Sequence, residues 1–339
     1  MTKLARADFP ATGQTLVLTR QMIAETMAFE DYVTAVESAF ARYAIGTVSV
    51  PEVVHIPARN GAFHIKSAAL TGEPSYVAVK VNGNFPANRQ RAGLHTIQGA
   101  ITLCDGKTGF PLAILDSTEV TAQRTAAATA VAVKHLANPD STVATVIGCG
   151  VQGRIQLQAL RHSLPLTEVY AFDIDSTRCK AFAEEMSAQA GLRVVALEDF
   201  VEGTRASQVI VTCTSSRSAF LQQQHIQPGA FIAAVGADSD DKQELHPDLM
   251  RASKVVVDIL QQCAQIGELH HALTAGAMTR PEVYADLGEV VSGKKMGRSS
   301  PTDTFIFDST GSAIQDVAAA AVIYEKAREQ GQGLSVMLA

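Results

Sequence analysis

Several features that would define common protein classes are missing from this sequence. Its five cysteines, Cys104, Cys149, Cys179, Cys213 and Cys263, are odd in number and include no Cys-x-x-Cys pair. Neither a disulfide framework nor a cysteine zinc site is expected, and a reducing cytoplasm suits such thiols. The formal net charge is −6 and no run of like charges occurs, which argues against general nucleic-acid binding while leaving room for a local anion site. No stretch approaches the ~18–20 apolar residues of a membrane span, so no membrane partner is expected. The opening residues MTKLARADFPATGQ lack the apolar core of a leader peptide. No internal repeat, nucleophile elbow or Walker loop is found. The adjacent His270 and His271 point in different directions on a helix, and no nearby cysteine or acid completes a site, so no metal is expected. What is present is an ordinary globular composition, 47% hydrophobic and 18% charged, over 339 residues, a length that suits two domains.

The first third mixes periodicities. Phe29, Val33, Val36, Phe40 and Tyr43 recur at helical spacing and Gly46 ends that helix. Strand-like runs follow at Val53–Ile56, Ala62–Ile65, Tyr76–Val81, Gly99–Leu103 and Leu112–Leu115, separated by turn signals such as Arg59-Asn60-Gly61. Ser117 or Thr118 is expected to cap a long helix reaching Leu136, which Asn138-Pro139 stops. Strands and helices then alternate, with strands expected at Val143–Gly148, Glu168–Asp173, Val194–Val195, Gln208–Thr212, Phe231–Val235 and Val255–Asp258. Continuous apolar strands between helices predict a buried parallel sheet. The fold class is therefore α/β. A Rossmann-type doubly wound domain is predicted over 130–313, and an α+β substrate and dimerisation domain over 1–129 and 314–339.

The strand Val143–Ile147 runs into Gly148-x-Gly150-x-x-Gly153 and then a helix. Gly148 permits the tight turn, Gly150 lets the backbone approach a pyrophosphate, and Gly153 lets helix and strand pack closely. The free N–H groups of the helix start suit phosphates. The next strand ends in Asp173, 25 residues after Gly148. An acid there can bond the ribose hydroxyls and repel a 2′-phosphate, which predicts NAD(H) in preference to NADP(H). The alternative is that Asp173 caps the following turn.

Three charged residues stand in apolar settings. Arg124 lies in Thr121-Ala-Gln-Arg-Thr-Ala-Ala-Ala, and a buried guanidinium needs an anion. A substrate carboxylate would serve, as would an intramolecular salt bridge. Lys80 shares one strand face with Ala78 and Asn82. It is either solvent-facing or a substrate cation and proton donor, with Lys66 a second cation nearby. Asp238 follows the apolar run Phe231–Gly236, where doubly wound folds bind ligands. It could hold an amine or activate water, or it could cap a loop.

Several segments together resemble the ornithine cyclodeaminase/μ-crystallin family: Lys80-Val-Asn-Gly83, Pro86-Ala-Asn88, Leu94-His-Thr96, Thr121-Ala-Gln-Arg-Thr-Ala-Ala127, Gly148-Cys-Gly-Val-Gln152, Ala234-Val-Gly-Ala-Asp238, Lys242-Gln-Glu-Leu-His246, Gly288-Glu-Val290 and Phe307-Asp-Ser-Thr-Gly311. The resemblance implies a homodimer acting on a small amino or imino acid. It implies that Lys80 and Arg124 bind the substrate carboxylate with Thr96 beside them, and that Asp238 is the catalytic acid/base, a residue replaced in μ-crystallins. The expected cofactor site comprises Gly148, Gly150, Val151, Gln152, Gly153 and Asp173, with Thr125, Thr212, Val235 and Gly236. Two departures from the cyclodeaminase pattern stand out. Glu52 falls where an arginine is found, and His64, accompanied by Lys66, falls near a glutamate. A pocket rebuilt with cations opposes a diamine such as ornithine. The expected activity is NAD(H)-dependent reduction of the C=N group of an α-imino acid, as in Δ1-pyrroline-2-carboxylate reductase. Cyclodeamination and a non-enzymatic, crystallin-like binding role are the alternatives.

Overall fold

A computed structural model describes residues 13–338. Strands β1 (Gln14–Leu18), β2 (Glu52–Ala58), β3 (Gly61–Leu70), β4 (Tyr76–Asn84), β5 (Ile97–Asp105) and β6 (Pro111–Asp116) precede a 20-residue helix, Ser117–Leu136. Strands β7 (Val143–Ile147), β8 (Glu168–Phe172), β9 (Arg193–Ala196) and β10 (Val209–Thr212) follow. After them come β11 (Arg217–Leu221), β12 (Phe231–Ala234), β13 (Gln243–Leu245), β14 (Lys254–Val257), β15 (Ala285–Asp286) and β16 (Phe305–Asp308). The helix Ala313–Gln330 leads to the last strand, β17 (Leu334–Met337).

Two sheets organise these elements. The first has seven strands in the order β17-β1-β6-β5-β4-β3-β2. Only its β1–β6 pair is parallel. The second has eight parallel strands in the order β15-β14-β16-β12-β10-β7-β8-β9. Its chain path runs outward from β7 to β9, then returns to β10 on the other side. The crevice beyond the carboxyl ends of β7 and β10 is therefore the topological switch point where such sheets bind ligands. β11 and β13 form a separate two-stranded ribbon.

Alanine explains how the sheets are joined. In the Ser117–Leu136 helix, Ala126, Ala127, Ala128, Ala130 and Ala132 are all buried, as are Ala318 to Ala321 in the C-terminal helix. Side chains this small let both helices approach their neighbours closely at little cost in side-chain entropy.

Some expectations are corrected. The cap of the long helix is Asp116, whose carboxylate accepts the N–H groups of Thr118 and Glu119, both at 3.0 Å. A carboxylate ending the preceding strand reaches both orphan donors, so Ser117 lies inside the helix and donates instead to Asn82 Oδ1 at 2.5 Å. Strands β1, β11, β13, β15, β16 and β17 were not anticipated. β16 has only four residues, all buried, too short for a period to emerge. β17 is an edge strand with all four residues exposed, so it carries no buried face to read.

Candidate active site

The first sheet turns one face toward the second. On that face the register sets Lys66 directly opposite Lys80 and His64 opposite Asn82, and directly opposed residues point the same way. Lys80 is 3% exposed and Lys66 9%. Arg124, 3% exposed, is the only charged side chain buried on the Ser117–Leu136 helix. Asp316, in the first turn of the C-terminal helix, meets two of these cations. Its Oδ2 lies 2.6 Å from Lys80 Nζ and its Oδ1 2.9 Å from Arg124 Nε. Arg124 Nη1 also donates to Gln315 Oε1 at 2.7 Å. The salt-bridge alternative thus holds for Arg124, whose counter-ion is not supplied by a visiting acid alone. Yet Asp316 is one charge shared by two cations.

Lys66 differs from its neighbours. Its Nζ donates to the main-chain carbonyls of Gly311 at 2.6 Å and Thr310 at 3.3 Å. Among the described residues it forms no ion pair with a carboxylate. Burial pushes its ammonium below the usual lysine range, and Arg124 adds to that. Burial likewise depresses Lys80, to about 7, with Asp316 opposing and Arg124 and Lys66 reinforcing the shift. For Asp316 burial acts upward, but Arg124 and Lys80 outweigh it and hold the carboxyl below its ordinary range. Gly311, at φ +74°, backs the cluster: a Cβ there would lie 2.7 Å from Arg124 Nη1.

Asp238 stands at the mouth of the cleft beyond β12, with half its side chain exposed. Its Oδ1 accepts from Lys242 Nζ at 2.6 Å. Its recess raises the carboxyl, while Lys242, Lys66 and His64 overcome this and keep it below the usual range. His64 faces the same space. Its imidazole is lowered by burial first and then by His55, whose Nδ1 lies 3.5 Å from its own, while Asp238 pulls it up. Asp238, His64 and Lys66 are thus brought within electrostatic reach of one another. Thr96 is not joined to them by its hydroxyl; its main-chain carbonyl accepts from Phe85 N at 2.8 Å. Glu52 is opposite Ser67 and so lies on the other face of the sheet.

The glycine loop lies at the switch point. Gly148 has φ +106°, and a Cβ there would sit 2.8 Å from the Cys213 carbonyl at the end of β10. Gly153 packs against Gly148, with its would-be Cβ 2.2 Å from the Gly148 oxygen. Gly150 meets nothing within 4 Å and starts the 13-residue helix Val151–Ser163 without a side-chain cap. That leaves N–H groups free for an anion. Gln152 Oε1 is buried with no partner. Asp173 Oδ2 accepts Cys149 N at 2.9 Å, while its Oδ1 accepts Asp175 N at 2.9 Å, so the turn-capping alternative also describes it. Ile174 beside it is 95% exposed. Thr125, next to Arg124, donates its hydroxyl to Thr121 O at 2.7 Å. These features fit a dinucleotide: an uncapped helix start, open space before it and an orphaned amide oxygen.

Thr212, Val235 and Gly236 line the opposite wall, and Glu244 binds that wall together. Its buried carboxylate accepts Thr212 Oγ1, Thr214 N and Thr214 Oγ1 at 2.7 Å each, and Gly236 N at 2.9 Å. Sequence reasoning missed Glu244, Asp316, Gln315 and Gly311 as site residues. Asp316 was visible in principle, being an acid in Ala313-Ile-Gln-Asp-Val-Ala-Ala-Ala. Among the described residues no group of three or more histidines, cysteines or acids could hold a metal ion.

Fold and cleft together define an α/β protein with a dinucleotide-type crevice facing a cation-lined sheet. The chain belongs to the ornithine cyclodeaminase/μ-crystallin family, whose sequence pattern matches residues 13–331. It is 36% identical over 326 residues to an alanine dehydrogenase of Archaeoglobus fulgidus, covering 95% of this chain and 98% of that one. An archaeal alanine dehydrogenase, solved as a dimer with bound NAD, superposes with a TM-score of 0.91 at 36% identity, covering 96% of this chain and all of that one. The Δ1-pyrroline-2-carboxylate reductase of Thermococcus litoralis, solved with NADH and L-proline, gives 0.90 at 33% identity, covering 95% and 100%. The relatives matched in this way are NAD-linked dehydrogenases and reductases.

Proposed function

We propose that this protein is an NAD(H)-dependent imine reductase or amino-acid dehydrogenase, acting at the C=N or CH–NH group of an α-imino or α-amino acid. One observation carries the reading: beside the glycine-loop crevice two buried cations, Lys80 and Arg124, share a single acid, and a third, Lys66, is held by main-chain carbonyls alone. An α-carboxylate supplies the missing negative charge, held by Arg124 and Lys80. When bound across Gly148, Gly150, Val151, Gln152 and Gly153, NADH supplies the hydride and leaves as NAD+. The chain's own contribution is mainly positioning, which is worth roughly 7–11 kcal/mol for a well-oriented pair. Lys80, depressed to about 7, is suited to give the imine nitrogen its proton. Asp238, held ionised, balances the positive charge at that nitrogen. Asp173 supports NADH over NADPH, because a 2′-phosphate would meet its carboxylate. The division of labour between residues 130–313 for the nucleotide and the remainder for the substrate is part of this proposal.

Cyclodeamination is the weaker reading, since Lys66, His64 and Lys242 around the pocket oppose a second substrate ammonium. A non-enzymatic binding role leaves Asp238 without a task.

A homodimer is also proposed. Val54, Ile56, Phe63, Val79 and Val81 are 36–51% exposed and share the face of the first sheet turned away from the cations. A patch this apolar suits an obligate partner, and a second copy of the chain is the proposed occupant, the archaeal relative having been solved as a dimer. Sedimentation equilibrium tests it. The free thiols agree with a cytoplasmic setting.

The direct assay is NADH oxidation with Δ1-pyrroline-2-carboxylate and with 2-oxo acids plus ammonium, repeated with NADPH. Turnover with NADH at the lower Michaelis constant is expected. Silence across the panel refutes the activity, and better use of NADPH refutes the role of Asp173.

A further inference from the structure

Lys66 has no task in the reading above. It is a buried ammonium held by two carbonyls and by no carboxylate, and burying a cation without an anion costs free energy unless something arrives to compensate it. The charges facing the cleft are Lys66, Lys80, Arg124 and Lys242 against Asp238 and Asp316; Asp258, bonded to Thr310 Oγ1 and Gly311 N, attracts Lys66 only from behind the turn that holds it. Asp238 answers Lys242, and Asp316 answers one of the pair Lys80 and Arg124. One substrate α-carboxylate answers the other. Lys66 is left over.

Its position says where the further anion would go. Lys66 is opposite Lys80 on the next strand, about 4.8 Å away across the sheet. On the far side lies His64, two residues along the same face, with His55 directly opposite it on β2. Beyond Lys80, therefore, the wall offers Lys66, His64 and His55, with Val53 paired opposite Lys66 on the same face. A neutral, methyl-bearing substrate would leave the Lys66 ammonium unanswered.

We propose that Lys66, flanked by His64, receives a second carboxylate on the substrate side chain, so that the preferred substrate is an α-imino dicarboxylic acid and the product an acidic amino acid. This inference rests on the proposed imine reduction and narrows it. An ammonium paired with a carboxylate, freed from solvent competition, favours the charged substrate by about 10- to 100-fold.

The test compares oxaloacetate plus ammonium with pyruvate plus ammonium in NADH oxidation. In parallel, calorimetry measures binding of L-aspartate and L-alanine to the NAD+-loaded protein. Expected are a kcat/KM at least tenfold higher for the dicarboxylate and a Kd at least tenfold lower for aspartate. Lys66→Met should cut both ratios by about tenfold, while Lys66→Arg should restore them in part. A preference for pyruvate and alanine, or ratios that Lys66→Met leaves unchanged, overturns the inference but leaves imine reduction standing. Silence toward every imine refutes imine reduction itself, and the calorimetric ratio then still decides what Lys66 selects. Far-ultraviolet dichroism confirms that each variant is folded.

Discussion

Replacing Asp316 by Asn removes the one carboxylate among Lys66, Lys80 and Arg124 while keeping the shape of the side chain. The unperturbed geometry puts opposite charges 2.6 and 2.9 Å apart with almost no solvent access. At an effective dielectric of about 20, a contact at that distance is worth about 6 kcal/mol before desolvation. The desolvation of both partners cancels much of this. The net cost of breaking a buried pair by removing one member is about 3–5 kcal/mol, because the partner charge is left stranded. Here two cations are stranded and repel each other, so the upper end applies. At about 5 kcal/mol the melting temperature of Asp316→Asn should fall by about 10–20 °C, at roughly 2–4 °C per kcal/mol. The double variant Asp316→Asn/Lys80→Met should recover part of the loss, since it removes a cation that the first change left unanswered. A ligand carboxylate should also raise the melting temperature of Asp316→Asn more than that of the unaltered protein. Differential scanning calorimetry with and without a substrate carboxylate reads all three effects. Additive losses in the double variant, or a ligand shift no greater than in the parent, would refute the view that these cations compete for too few anions.

Three further outcomes follow from the same geometry. Asp238→Asn should lower kcat by about 10²–10³-fold, the scale of losing one preorganised electrostatic contact, and leave the Kd for NADH unchanged by fluorescence titration, because Asp238 stands on the substrate side; unaltered turnover would remove it from the mechanism. Lys80 is pushed down to about 7, chiefly by burial, and reduction consumes its proton, so kcat/KM for imine reduction should decline as pH rises above about 7 while amino-acid oxidation rises. A pH–rate profile checks this, and parallel profiles in the two directions would contradict it. Asp308 is fully buried and burial pushes its carboxyl up to about 7, well above its value in the unfolded chain. Its contribution to stability is therefore complete below pH ~4 and is lost as pH climbs through 7, at ~1.4 kcal/mol per unit of separation. Melting temperatures between pH 5 and 8 should fall less steeply in Asp308→Asn than in the parent, and identical slopes would refute the assignment.

The parts of the site that could be read from sequence are those where a residue contradicts its local context. A guanidinium among alanines, a glycine triplet between strand and helix, and an acid closing the next strand each conflict with the bland expectation for their surroundings, so each signals itself. Lys66 and Lys80 signal themselves more weakly, because alternation assigns a face without saying whether the face is wet. What could not be read is the partner of each. Asp316 lies 192 residues from Arg124 along the chain, and only the packing of two alanine-rich helices brings them together. Glu244 sits in an unremarkable Gln-Glu-Leu run, yet its carboxylate gathers donors from two separate stretches, Thr212–Thr214 and Gly236. Composition and spacing are local properties; counter-ions and hydrogen-bond acceptors are not. The same limit governs the helix cap, where Asp116 wins over Ser117 because the preceding strand delivers its carboxylate to both donors.

The stretch between β16 and the C-terminal helix shows why the cations belong to the nucleotide crevice rather than to the first sheet alone. Asp258, at the end of β14, accepts Thr310 Oγ1 at 2.9 Å and Gly311 N at 2.7 Å, which ties this turn to the parallel sheet. The carbonyls of the same turn hold Lys66 from the first sheet. Five residues after Gly311, Asp316 holds Lys80 and Arg124. A single segment thus fixes the height of all three cations relative to the strand ends that shape the crevice. Any movement of one sheet against the other must break a buried ion pair or a buried ammonium–carbonyl bond. The cations are consequently preorganised for an anion and do not need to be gathered by it, which is the condition under which positioning contributes its full effect to catalysis.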